Sequence, residues 1–381
     1  MRRRRRALIL VLLIAGAGIA LALAAGRDAV RVAVGYSAKQ MCSGVFVGGL
    51  PAAFVLETDI RPRMAILGPL LPMLDVRAER GGGLARAHLL GVSARAVHRS
   101  QRGCALGSSG RGDPPMMPAA APEPAGVPEP LAGPVREAFA EPADGGRNTL
   151  ALLLSHRGRL LVERYATPVT ATTPMQGWSM NKSLMATWVG LQAARDVLDP
   201  ARPLRALLPD EPIVAALDER LTLLHLLQME SGLDFEEVYG PGSDVTRMLY
   251  LSPAMWQVPA TAEQAFAPGE RFAYSSGDTV LASLFWQRSL DGPYERWIRD
   301  NFQVPLGLTT LVAEADASGV QVGSSYVYLT PRDWLRVGQL WLDAWHGRSK
   351  MLPGDWLRES VAPRASDPRG RYGREIGRAH V

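Results

Sequence analysis

Lysine is nearly absent from this chain: of its 42 basic residues only Lys39, Lys182 and Lys350 are lysine, and the rest are arginine. Arginine stays protonated and cannot serve as a base, whereas a partly buried lysine can lose its proton, so amine base chemistry has few places to reside. Cysteine is scarcer still, with Cys42 and Cys104 alone among 381 residues. No Cys/His spacing suits a metal, and the six histidines are scattered. His88, His98, His156 and His225 have no partner at i+4, and no His-Glu-x-x-His run exists, which excludes the common zinc-hydrolase arrangement. A Walker phosphate loop is missing as well. So is the Gly-x-Ser-x-Gly elbow, because Gly177-Trp178-Ser179-Met180-Asn181 lacks the final glycine. The formal charge of +5 is local, since Arg2, Arg3, Arg4, Arg5 and Arg6 supply all of it. The remainder sums to zero and carries no nucleic-acid footprint.

What is present is ordinary globular composition, 47% hydrophobic and 21% charged, with ample length for a core or two domains. Ala7 to Ala25 form an uncharged run close to the roughly 20 residues that span a bilayer. Five arginines before it and Arg27 after it favour a cytoplasmic N-terminus with the rest outside. Residues 1–26 are therefore expected to be a retained membrane anchor; a cleavable signal peptide, with Ala22-Leu23-Ala24 as its cleavage site, is the alternative. Either reading exports the protein, to an inner-membrane-anchored position with the catalytic part in the periplasm or extracytoplasmic space. An oxidising compartment would permit a Cys42–Cys104 disulfide, and two unrelated buried thiols is the other reading.

Residues 27–112 mix apolar segments with arginine and glycine and suggest no chemistry. The prolines of residues 113–135 predict an extended linker without helix. A new unit begins near Val135. Thr149 to Ser155 and Arg159 to Tyr165 read as strands joined by a glycine-containing turn that holds His156. From Ser179 to about Val197 apolar residues recur at helical intervals over a wide face, predicting a largely buried helix. Leu221 to Met229 reads as a short helix with Thr222 as N-cap and His225 as a hydrogen-bonded core histidine. Thr330-Pro331-Arg332-Asp333 carries a strong helix-start signature before Trp334 to Leu342. Residues 375–381 read like a translated sequencing adapter rather than protein.

Ser179 and Lys182 stand three apart at a helix start, where positions i and i+3 are neighbours and the amine can reach the hydroxyl. A serine hydroxyl is a poor nucleophile unless an adjacent base takes its proton, and this pair is the arrangement that remains once histidine, metal and phosphate-loop chemistry are set aside.

Here the chain resembles the serine β-lactamase and penicillin-binding protein superfamily, in its class C-like branch of esterases and 6-aminohexanoate-dimer hydrolases. Ser179-Met180-Asn181-Lys182 matches Ser-x-x-Lys, Leu221 to Leu233 matches a segment typical of that branch, and Pro268-Gly269 through Tyr274-Ser275-Ser276 matches its Tyr-x-Asn region. The resemblance, over about residues 136–374, implies an α+β fold: an antiparallel sheet flanked by helices, with an inserted helical subdomain and the active site between them. It implies that Ser179 is acylated, that Lys182 and Tyr274 form the proton relay, and that no cofactor is needed. Such a relay needs either a phenolate held by a neighbouring cation or a lysine made neutral by burial, and the residues leave both open. The Ser179 N–H, at a helix N-terminus, would be one oxyanion donor.

Ser276 stands where β-lactamases carry asparagine, which favours ester or amide hydrolysis over β-lactam turnover. Ser276 is expected to contact substrate, and Tyr239 to line the pocket. The family's third motif, Lys-Thr-Gly or His-x-Gly on a late strand, does not follow Tyr372-Gly373. The true C-terminal part is thus expected to be missing, and the chain as given to be inactive or poorly folded. The expected substrate is a small ester, amide or peptide-like molecule, with no nucleic-acid partner, a membrane contact through the N-terminal segment, and an oligomeric state the sequence does not set. The alternatives are a β-lactamase or D-alanyl-D-alanine carboxypeptidase, and, from another class, a catalytically silent cell-wall or partner-binding protein of the same fold.

Overall fold

The computed structural model describes residues 26–115, 126–142, 145–367, 369–370 and 372–376. The expected membrane segment lies outside the described residues apart from Gly26. Among the described residues no helix is long and apolar enough to cross a membrane.

Residues 27–112, for which the sequence suggested no chemistry, are structured throughout. Helix α1 (residues 26–42) is buried on all sides from Ala33 onward and runs into a wider turn over Ser43–Val47. Gly35 is required there, because a Cβ would sit 2.3 Å from the carbonyl oxygen of Tyr250. Behind α1 a four-stranded antiparallel meander is built from β1 (Asp75–Glu79), β2 (Leu84–Leu89), β3 (Val92–Arg99) and β4 (Gly103–Leu106). Small inward residues such as Ala85, paired with Ala96, let the sheet lie close to the helix. Cys42 at the end of α1 and Cys104 on β4 are joined in a disulfide, with Cα atoms 6.0 Å apart.

The proline-rich segment departs from expectation. Helix α2 (Glu129–Phe139) forms inside it, with Pro130 in the first turn and Pro134 in the interior. First-turn N–H groups have no intrahelical acceptor, so Pro130 loses nothing there and only Pro134 removes a helical hydrogen bond.

Strands β5 (Ala151–His156) and β6 (Arg159–Tyr165) form the expected hairpin. Its turn places Arg157 and Gly158 at φ of 51° and 75°, the left-handed pair that a tight hairpin requires. Among the described residues this hairpin is a sheet of its own, and a third, three-stranded sheet has β9 (Val327–Leu329) between β7 (Met175–Gln176) and β8 (Val312–Ala313). The single sheet expected from the resemblance is thus divided into two antiparallel sheets, the hairpin and the three-stranded sheet, within an α+β fold. The reason is pairing: β9 takes its partners from two short segments, β7 and β8, and not from the hairpin.

Helix α3 (Met180–Ala193) is the buried centre expected of it, with every residue from Asn181 to Gln192 inside. Its Trp188 stacks on Trp286 at 5.4 Å in the main core. Helix α4 (Leu223–Leu227) starts at Thr222, whose hydroxyl accepts from the His225 N–H while the His225 ring accepts from the Thr222 N–H. Burial pulls the His225 imidazole below its ordinary range, as befits a neutral cap partner. Helix α5 (Asp244–Leu251) meets α1 through Tyr250, while α6 (Ser276–Arg288), α7 (Pro331–Trp345) and α8 (Gly354–Val361) pack on α3. Helix α7 opens with Thr330 accepting from the Asp333 N–H, as its sequence predicts.

A second core unites the two halves of the chain, mixing Val34, Phe46 and Cys104 with Met248, Leu249 and Tyr326. Beside it Lys39, Ser43 and Glu314 form a buried cluster. The lysine donates to Ser43 Oγ at 2.8 Å and to Glu314 Oε2 at 2.5 Å, and the serine donates to Glu314 Oε1 at 2.9 Å.

Candidate active site

Ser179 is the N-cap residue of α3, and Trp178 before it has φ of 46°, a left-handed backbone that is uncommon for a bulky residue. Strain of this kind persists where surrounding structure over-determines it. Here the Gly177 N–H is fixed by the Val327 carbonyl at 2.8 Å, which ties the turn to β9. The result is a half-buried serine whose side chain stands at the edge of a cavity.

Tyr274 arrives from the extended segment before α6, and its Oη donates to Ser179 Oγ at 3.1 Å. Lys182, one turn into α3, is fully buried. Its spacing suggested a direct contact with Ser179, but Nζ donates instead to Ser276 Oγ at 3.2 Å and to the Ser324 carbonyl at 3.0 Å. The ammonium lies 5.0 Å from the centre of the Tyr274 ring. The phenol therefore stands between the lysine and the serine, because the side chain of Lys182 is drawn inward by buried acceptors.

Ser276 occupies a different place from the one expected. It is buried at the first turn of α6, and it is not among the residues lining the cavity at Ser179. Its Oγ donates to Glu237 Oε1 and its N–H to Glu237 Oε2, both at 2.7 Å, while it accepts from Lys182. A serine in this position bridges a carboxylate to an ammonium. Glu237 was not identified from sequence, and its only signal was proximity to Tyr239. Burial pushes its carboxyl above the usual range, against the opposing effects of Lys182 and of its two hydrogen bonds.

A second carboxyl lies in the interior near Lys182. Glu375 accepts from Thr279 Oγ1 at 2.8 Å and from Tyr372 Oη at 2.9 Å, and burial raises it to about 8. Residues 375 and 376, set aside in the sequence with the last stretch of the chain, thus pack against the fold, while 377–381 lie outside the described residues.

Tyr239 lines the cavity as expected, with Trp178, Ser179 and Gly240 on the same side. Another part of the lining comes from α1, through Val32 and Tyr36, and from a later segment, through Arg63, Ile66 and Leu67. The cavity measures about 580 Å³. A larger cleft of about 1000 Å³, bordered by Glu211, Arg247 and Trp256, does not include Ser179.

Comparison with known proteins now bears on this arrangement. The β-lactamase family profile matches residues 135–368, more than half of the chain. The chain belongs to the β-lactamase family. Membership supports a hydrolase kind of function for a chain that presents a serine, a lysine and a tyrosine together. No curated protein matches it. Solved structures similar to it include a protein described as a 6-aminohexanoate-dimer hydrolase from Bacillus anthracis, 17% identical, with a TM-score of 0.46 over 60% of this chain and 64% of that one.

 A D-stereospecific amidohydrolase from Streptomyces sp. is 20% identical, with a TM-score of 0.42 over 53% of this chain and 70% of that one. A D-amino acid amidase from Ochrobactrum anthropi SV3 is 22% identical, with a TM-score of 0.39 over 51% of this chain and 60% of that one. The chain spans about 64% of the length of the Bacillus anthracis protein.

Proposed function

We propose that this protein is an exported serine hydrolase that cleaves an ester or amide bond through an acyl-enzyme on Ser179. The observation that carries this reading is the 3.1 Å hydrogen bond between Tyr274 Oη and Ser179 Oγ, with the buried Lys182 ammonium against the same phenol ring. Proton relays work at hydrogen-bond reach, and the phenol is the group at that reach from the nucleophile.

In the first half-reaction Tyr274 acts as the phenolate, paired with the Lys182 ammonium: Ser179 Oγ attacks the carbonyl carbon and its proton passes to the Tyr274 oxygen. The bond to the leaving group then breaks, and Tyr274 returns the proton to the departing alcohol or amine. Water repeats the sequence on the acyl-enzyme, releasing the acid and restoring Ser179. Lys182 stabilises negative charge on the phenolic oxygen, and the Ser179 N–H at the start of α3 is one oxyanion donor. With Ser276 turned to Glu237 and Lys182, position 276 offers no side-chain amide of the β-lactamase kind, which supports an ester or a short amide over a β-lactam. The Cys42–Cys104 disulfide and the arginine-flanked apolar run support export.

The test is labelling with a fluorophosphonate probe, followed by assay against esters, short amides and a chromogenic β-lactam. Labelling of the protein and its loss in Ser179→Ala are expected, with turnover of the esters or amides above that of the β-lactam. An unlabelled Ser179 would favour a silent binding protein of the same fold.

A further inference from the structure

The cavity at Ser179 has two walls of different origin. One comes from the family region, which begins at residue 135; the other comes from residues 29–67, which precede it. We infer that this N-terminal wall is a substrate-specificity element, selecting an ester or amide that carries an unbranched apolar chain. The inference deepens the hydrolase reading and rests on it.

The wall is apolar where it faces the cavity, through Val32, Ala33, Met64, Ile66 and Leu67. Arg63 brings the one formal charge of the lining, and its guanidinium lies 5.5 Å from the centre of the Trp178 ring, next to the nucleophile. The cavity of about 580 Å³ falls within the roughly 300–1,000 Å³ common for small-molecule sites. Ile66 is 77% exposed, so among the described residues nothing covers this large apolar side chain at the cavity. An apolar chain extending from the carbonyl at Ser179 would cover it and gain the burial energy.

The wall is also fixed in place. Tyr36 Oη donates to the Asp59 carbonyl at 2.8 Å, tying α1 to the segment that carries Arg63 and Ile66. Gly35 brings α1 into contact with the Tyr250 backbone, and Tyr36 meets the Tyr250 ring edge-on at 5.3 Å. The Lys39–Ser43–Glu314 cluster and the disulfide hold the far end of the helix. A preformed apolar wall adds affinity without an ordering cost on binding.

The experiment measures kcat/KM for para-nitrophenyl acetate, butyrate and octanoate on the protein and on Ala33→Trp and Ile66→Asp. Calorimetric binding of octanamide to Ser179→Ala, with and without Ile66→Asp, needs no turnover. The expected result is a preference for octanoate over acetate of about tenfold or more, reduced by each variant, since each buried methylene adds to binding. Octanamide is expected to bind Ser179→Ala and to bind more weakly once Ile66→Asp is added. Ala33 is buried, so Ala33→Trp could lose its fold; Ile66 is exposed, and Ile66→Asp keeps the test decisive. A chain-length profile that neither variant moves, or an equal loss on all three esters, would overturn the inference. Octanamide binding without ester turnover would retain the wall and remove the hydrolase reading, whereas turnover with a flat profile would do the reverse.

Discussion

Two buried lysines in this molecule each share a helix with a serine one turn away, and they are built for opposite ends. Lys39 donates to Ser43 and to the Glu314 carboxylate, a charge that neutralises it, and all three side chains are sealed in the core. Lys182 donates to a hydroxyl and a backbone carbonyl, and the phenol against it reaches a serine at the edge of a cavity. The same residue types thus make a staple where a carboxylate closes the cluster, and a candidate proton relay where a tyrosine leads out to a cavity. Access and the identity of the third partner decide the difference.

Breaking each lysine in turn gives the largest contrast. Lys182→Met is expected to lower kcat on the order of 10⁴-fold, as for members of coupled catalytic sets, when ester turnover is measured at saturating substrate. Lys39→Met is expected to leave Glu314 as an uncompensated buried charge and to cost about 3–5 kcal/mol of stability, read from denaturant unfolding. Its remaining folded fraction should still label at Ser179. Equal losses of activity per folded molecule in the two variants would erase the distinction.

The disulfide adds to the staple side alone. Replacing both Cys42 and Cys104 by serine should lower stability by about 2–5 kcal/mol in the same unfolding measurement, with little change in labelling per folded molecule.

On the relay side, Glu237→Gln should weaken the hold on Ser276 and through it on Lys182. A fall in kcat of about tenfold, with KM nearly unchanged, is expected for a charge-assisted hydrogen bond lost at one remove from the nucleophile. A change confined to KM would place Glu237 in substrate binding instead.

A further expected effect is on the pH dependence of stability. Burial raises Glu375 from its ordinary 4.5 to about 8 and Asp278 from 3.8 to about 7. Both are protonated in the fold at pH values where the unfolded chain has ionised them, so unfolding releases protons. Stability is therefore complete below the unfolded values and falls as pH rises toward 8. The melting temperature should drop between pH 5 and pH 8, and Glu375→Gln should flatten that slope.

Much of the candidate site was legible because it is local. Thr222 and His225 share one turn of α4 and Thr330 caps α7, so spacing alone predicts those contacts; Ser179 and Lys182 share one turn of α3, yet Lys182 turns to Ser276 and Ser324 and the direct contact that spacing suggested does not form. Tyr274 was reached through the order of motifs. Glu237 was not, since it meets Ser276 across 39 positions from a loop with no helical or strand period. The proline count misread residues 129–135, because it ignored that a first-turn proline loses no helical hydrogen bond.

The sequence by itself determined helices α3, α4 and α7, the hairpin and the candidate pair of Ser179 and Lys182, all of which follow from periodicity, capping and near-neighbour chemistry. Only the tertiary structure decided that Lys182 turns inward to Ser276 and Ser324, that Lys39 finds Glu314 across 275 positions, and that the segment before the family region walls the cavity. The physical reason is that burial and charge pairing depend on which distant surfaces meet. That is settled by packing the whole core, not by any stretch of residues read alone.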